Sequence, residues 1–265
     1  MIQFSDLQKM KLKPYLPFIC LFFFTLLHAH GADWVTDYYL DPKPDEFAKN
    51  VQELENQGIF EKENAQWPVV SFLSQVMAAN PSQVGEWMAF SETLNEPSIG
   101  ALRLAAWYSH TSTAKKYFHS KELTNYIQNE APNILELEVN NPTVLDMLWG
   151  YFFATGEIEP LERISKALEL SKYTDAVDSY KESQKTEEDK KNLYLGVTFQ
   201  SAMWSIESNC KNHPLVLEHF RSIFQAPKTP KSQSLWIGVI LSKVVPNEIG
   251  ISIGNKKEIQ SGDGQ

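Results

Sequence analysis

Apolar positions recur along this chain every three or four residues, the period of a helix that turns one face inward. Phe47, Val51 and Leu54 form one such row, with Asp45 placed to cap it and Gly58 to close it. Val69, Phe72, Leu73, Val76 and Met77 form the stripe of a second helix, from about 65 to 79. A punctuation then repeats: asparagine, followed by proline at once or one residue later. It stands at Asn80-Pro81, Asn95-Glu96-Pro97, Asn141-Pro142 and Asn212-His213-Pro214. Asparagine caps helix starts well, and proline is pre-organised for the first turn. Proline also discourages helix in the residue before it, so each site is expected to end one helix or loop and begin the next. The segment launched at Pro142 carries Val144, Leu145, Met147, Leu148, Trp149, Tyr151, Phe152 and Phe153. It is apolar almost all round, which predicts a central helix touched from several sides.

Shorter helical pieces are expected near 113–119 and 122–128. The stretch 171–192 is strongly charged and predicts a solvated loop leading into exposed helical turns. A helix follows over about 193–208, and the Val- and Ile-rich segment 235–245 suits a last packing helix better than a strand. Past Pro246 the chain turns to Gly, Asn, Lys, Ser and Asp, a composition that favours a disordered tail over 246–265. No sustained apolar/polar alternation points to sheet. The expected fold class is all-α, with stacked antiparallel helical hairpins in a single domain over 32–245.

The run from Gly150 to Leu170 reads Gly-aromatic in its first half, turns at Gly156, and ends in Lys166-Ala167-Leu168-Glu169-Leu170. It resembles one hairpin of the tetratricopeptide repeat family, with a turn-to-end spacing one residue shorter than that family's. The resemblance covers this hairpin alone, because the proline-marked starts at 81, 142 and 214 have no fixed period. It implies stacked helix pairs and a groove that binds a protein or peptide.

The first 31 residues add a destination. Lys9, Lys11 and Lys13 precede an apolar run from Tyr15 to Leu27, and Ala29 and Gly31 put small residues at −3 and −1 of a cut before Ala32. This is the pattern of a cleaved secretory signal peptide over 1–31, with Met10 as an alternative start. The run is too short for a membrane span, which takes roughly 20 residues. The expected location is periplasmic or extracellular, with no transmembrane span in the mature chain. The whole chain carries 24 Lys+Arg against 33 Asp+Glu. Losing Lys9, Lys11, Lys13 and Asp6 leaves 21 against 32, a formal charge of −11. Such a chain is repelled by phosphate backbones, so no nucleic acid is expected, and a protein or peptide partner of basic character would be attracted. Cys20 lies in the apolar run, so Cys210 is the one cysteine left after cleavage and no internal disulfide can form.

Catalytic and metal motifs are sparse. His110, His119, His213 and His219 have no i, i+4 pairing, and no metal or cofactor is expected. Glu86, Glu92 and Glu96 lie near Trp87 and Phe90, the ingredients of a paired-carboxylate site, so the alternative to a binding module is a small hydrolase of envelope glycans or peptides. The seven tryptophans are spread along the chain, as core packing would place them. Trp34, Tyr38 and Tyr39 are grouped, and either clamp the first helix onto the body or form an aromatic surface for a partner.

Overall fold

The computed structural model describes residues 30–179 and 186–247, and all regular structure there is helical. The predicted signal peptide therefore lies, up to residue 29, outside the described residues, as does the predicted tail from 248 on.

Two helices make the centre. α1 (His30–Asp37) and α2 (Phe47–Asn56) lead into α3 (Glu63–Ala79). α4 (Val84–Ser91), α5 (Glu96–Tyr108), α6 (Ser112–Ser120) and α7 (Thr124–Gln128) form one flank. α8 (Pro142–Thr155) then returns through the middle against α3. The other flank holds α9 (Ile158–Ser165), a 3-10 stretch (Lys166–Tyr173), α10 (Thr174–Asp178), α11 (Glu187–Asn212), α12 (Pro214–Gln225) and α13 (Lys231–Val244).

The sequence places α8 at the centre, and it does bury Leu145, Met147, Leu148, Trp149, Phe152 and Phe153. It shares that position with α3, which the apolar stripe alone undersells. Besides the stripe, α3 buries Trp67, Val70, Ser71 and Ser74. The two backbones nearly touch. A Cβ on Gly150 of α8 would stand 2.1 Å from the Pro68 carbonyl oxygen of α3. Ser71 Oγ donates to the Met147 carbonyl at 2.6 Å across the same seam. Small residues at a crossing let helices approach until main chain meets main chain, and the buried serines keep their hydroxyls satisfied.

Two of the four asparagine–proline sites cap helix starts as expected. Asn95 accepts from the Ser98 amide at 3.0 Å, and Asn141 from the Val144 amide at 3.1 Å. The other two end the preceding helix, also as expected, and the next helices start at Val84 and Pro214. The Asn80 side chain donates back to the Val76 carbonyl at 2.8 Å, and that of Asn212 to Ser208 at 3.0 Å. The break at the second falls on His213, directly before Pro214, where proline drives its neighbour out of the helical region. Asp45 is no cap. It sits in a 3-10 turn (Pro44–Glu46) and accepts from Gln83 at 3.2 Å.

The charged stretch 171–192 is another correction. Most of its first part is wound as the end of the 3-10 segment and α10, and it packs on α11: a Cβ on Gly196 would meet the Tyr173 carbonyl oxygen at 2.5 Å and Val177 at 2.6 Å. Its charge count hid an inner face. α11 then begins at a full capping box of Thr186 and Asp189, and 187–191 are its exposed first turns, as expected. The segment resembling a repeat hairpin does turn at Gly156 (φ 70°), but its second helix tightens to 3-10 winding from Lys166. The predicted last helix is α13.

Candidate functional site

The three residues singled out near the N-terminus are part of the core fabric. Trp34 meets Tyr38, Phe47 and Phe72 edge-on, with ring centroids 5.9, 6.1 and 4.9 Å away. Tyr38 is buried and edge-on to Phe72. Tyr39 leans on Phe152, and its hydroxyl lies 3.2 Å from His213 Nδ1. Burial holds the His213 imidazole below its ordinary pKa, opposed by the nearby Asp37 carboxylate, which favours a neutral ring partnered with Tyr39. His219 completes the cluster, its Nε2 3.2 Å from the Gly156 carbonyl. The trio packs the N-terminal segment onto α3 and α8, with Tyr38 buried and Trp34 and Tyr39 partly buried. A cut before Ala32 would leave this clamp whole.

Within the carboxylate trio, Glu92 is the one engaged by neighbouring side chains. Glu86 and Glu96 are exposed. Glu92 accepts from the Tyr117 hydroxyl, from Arg103 at 3.2 Å and from Lys121 at 3.3 Å. The Tyr117 hydrogen bond first, and the two cations with it, hold this carboxyl below the usual range despite partial desolvation. A general acid needs the reverse. The cluster ties the end of α4 to α5 and α6.

A different carboxyl is shifted upward. Asp146 lies partly buried on α8, and desolvation pushes it up to about 8. Folding near neutral pH therefore takes up a proton there. Because the folded pKa lies above the unfolded one, Asp146 favours folding at pH below about 4, and that contribution is lost as pH rises through about 8. Asp146→Asn should match wild type near pH 4 and exceed it by about 2–3 kcal/mol at pH 9, a margin discounted for the side chain's remaining contact with solvent. Equal denaturation midpoints at both pH values would refute this.

A crevice lies where α5, α6 and α7 meet, with a cavity volume of about 110 Å³. Its construction is local. Thr111 caps α6 by accepting from the Ala114 amide at 3.1 Å, and its hydroxyl lies 3.2 Å from Ser109 Oγ. Both ends of α6 are turned by side-chain-bearing residues in the left-handed region, His110 at φ 54° and Glu122 at φ 53°; among the described residues no other non-glycine does this. Each costs on the order of 1 kcal/mol. The floor is Ala106, Ala114 and Phe118, with Phe118 stacked on Tyr126 of α7 at 4.7 Å. Trp107 is the wall. It stands edge-on to Tyr126 and is locked by its Nε1 donating to the Asn129 carbonyl at 2.9 Å. Burial raises the Tyr126 phenol, opposed by Arg103.

The rim is polar. His110, Lys115, His119 and Glu130 ring the opening, and Ile127 lies at its edge, 37% exposed. Lys115 Nζ and Glu130 Oε1 are 3.9 Å apart, with side chains 63% and 92% exposed. The acidity of the whole chain is thus not concentrated here. The sequence did not single out this site. Its trace was the doubled row on α6, Ala114 and Phe118 beside Lys115 and His119, each pair one helical turn apart.

Among the described residues, no group of three or more His, Cys, Asp or Glu could hold a metal ion. No described helix is long and apolar enough to cross a membrane. Comparison with family models, curated proteins and solved structures returns no match to this chain.

Proposed function

We propose that this chain is an exported helical module that binds a peptide or protein partner, and that the α5–α6–α7 crevice receives an apolar side chain of that partner. The observation that carries the reading is the crevice itself: an apolar floor, a wall fixed by a hydrogen bond, and a polar rim. That combination is how ligand sites join apolar affinity to polar orientation. Its volume suits one aliphatic side chain, since about 150 Å³ admits a benzene ring. The pattern of residues 1–31 supports export. The engaged state of Glu92 gives the hydrolase alternative no support.

A displayed peptide library panned on the full chain tests the reading. Selected peptides should share an apolar anchor and lose at least tenfold in affinity against Ile127→Glu, an exposed change at the crevice edge. Peptides that bind this variant as well as wild type, or a library that yields none, would overturn the assignment. For export, mass spectrometry of the secreted protein should find Ala32 as its first residue. Retention of the Phe22–Phe24 stretch would argue for an anchored form.

A further inference from the structure

We infer that the crevice recognises a free peptide C-terminus whose last residue is aliphatic. The inference rests on the peptide-binding reading above and names the partner's chemistry. Two features of the opening point to it. The apolar hole is short, about 110 Å³, so it accommodates one side chain and not a run of them. Nitrogen donors then dominate the mouth. Lys115 and His119 stand one turn apart on the same face of α6, with Cβ atoms about 5–6 Å apart by helix geometry, and His110 faces in from the turn that precedes the helix. An imidazole offers at least one N–H in either protonation state, and lysine offers three. Two carboxylate oxygens can be shared among donors so spaced.

Glu130 is the only carboxylate on the lining. Its pairing with Lys115 is loose at 3.9 Å and lies in solvent, so an incoming carboxylate can take its place at little cost. Glu130 also sets the polarity of the site: it would repel an acidic residue upstream of the terminus while Lys115 holds the terminal group. The carboxylate supplies orientation and the aliphatic side chain supplies affinity, the same division of labour that the hole and its rim show.

The test uses the full chain and synthetic hexapeptides that differ only in the last residue, each made as free acid and as C-terminal amide, with binding read by fluorescence anisotropy. Free acids ending in Leu, Ile or Val should bind at least tenfold tighter than their amides. Lys115→Gln, an exposed change that leaves the fold intact, should erase that ratio and leave the amides' affinity unchanged. Raising salt should narrow the acid–amide gap. If acid and amide bind alike, the terminus is not recognised, and the peptide-binding reading alone survives. If no aliphatic-ended peptide binds in either form, both fall. An acid preference that persists undiminished in Lys115→Gln and in His119→Gln would place the carboxylate elsewhere and overturn the inference.

Discussion

Gly150→Ala should lower the thermal midpoint by about 10 °C, the opposite of what helix propensity alone predicts. Alanine in place of glycine inside a helix is ordinarily worth up to about 1 kcal/mol in stability. Here the added methyl would stand 2.1 Å from the Pro68 oxygen, 2.9 Å from the Pro68 carbonyl carbon and 3.1 Å from the Phe72 nitrogen. All three are backbone atoms and cannot swing away as a side-chain end can. α3 and α8 must separate, and the buried contacts beside the crossing loosen with them. Overpacking of a tight core costs about 1–3 kcal/mol where side chains can adjust; against rigid main chain we expect the upper end or beyond. In a domain of this size each kcal/mol moves the midpoint by about 2–4 °C. Gly100→Ala is the matched control. Gly100 also lies inside a helix, α5, but a Cβ there meets nothing within 4 Å, so that variant should be slightly more stable than wild type. Circular dichroism melts of the pair decide the matter. A Gly150→Ala protein that melts with or above Gly100→Ala would show that the two central helices do not meet as described.

Phe152→Ala should cost about 3–5 kcal/mol, the range for deleting a buried aromatic ring. Phe152 is fully buried and touches more than its own helix: Tyr39 from the N-terminal clamp lies 5.2 Å away and His219 of α12 lies 6.2 Å away, centroid to centroid. Removing the ring therefore weakens the centre and the clamp together, and the cavity left behind is hemmed in by Trp149 and Phe153. Trp149→Ala belongs to the same range. Urea unfolding of both variants supplies the numbers. Losses below about 1 kcal/mol at both positions would mean that α8 faces solvent.

The class of the fold is legible in the chain because a helix announces itself locally. The 3.6-residue period, the cap asparagines at 95 and 141 and the left-handed glycines at 58 and 156 each involve residues within a turn or two of one another. The four asparagine–proline sites show where locality stops. Asn80 and Asn212 stand in the same Asn–Pro pattern as Asn95 and Asn141, yet their amides reach back to the preceding helix. An amide can serve a helix end as well as a helix start, and the pattern does not say which neighbour needs it.

What the amino-acid sequence determined by itself is the inventory: an all-helical chain, a near-fully apolar helix at 142–155, a signal-like N-terminus and a net acidic charge. Tertiary structure decided what those parts are for. Trp34, Tyr38 and Tyr39 have the composition of a binding patch, and contacts with Phe47, Phe72 and Phe152 from other segments also make them a clamp. Glu92 has the composition of a catalytic acid, but Arg103, Lys121 and Tyr117 arrive from two other helices and hold it ionised. The crevice is assembled from Trp107, Phe118 and Tyr126, three rings on three helices, each unremarked on its own segment. Periodicity records which face of a helix is buried. It carries no record of which other face lies against it, and sites of this kind are made by that pairing.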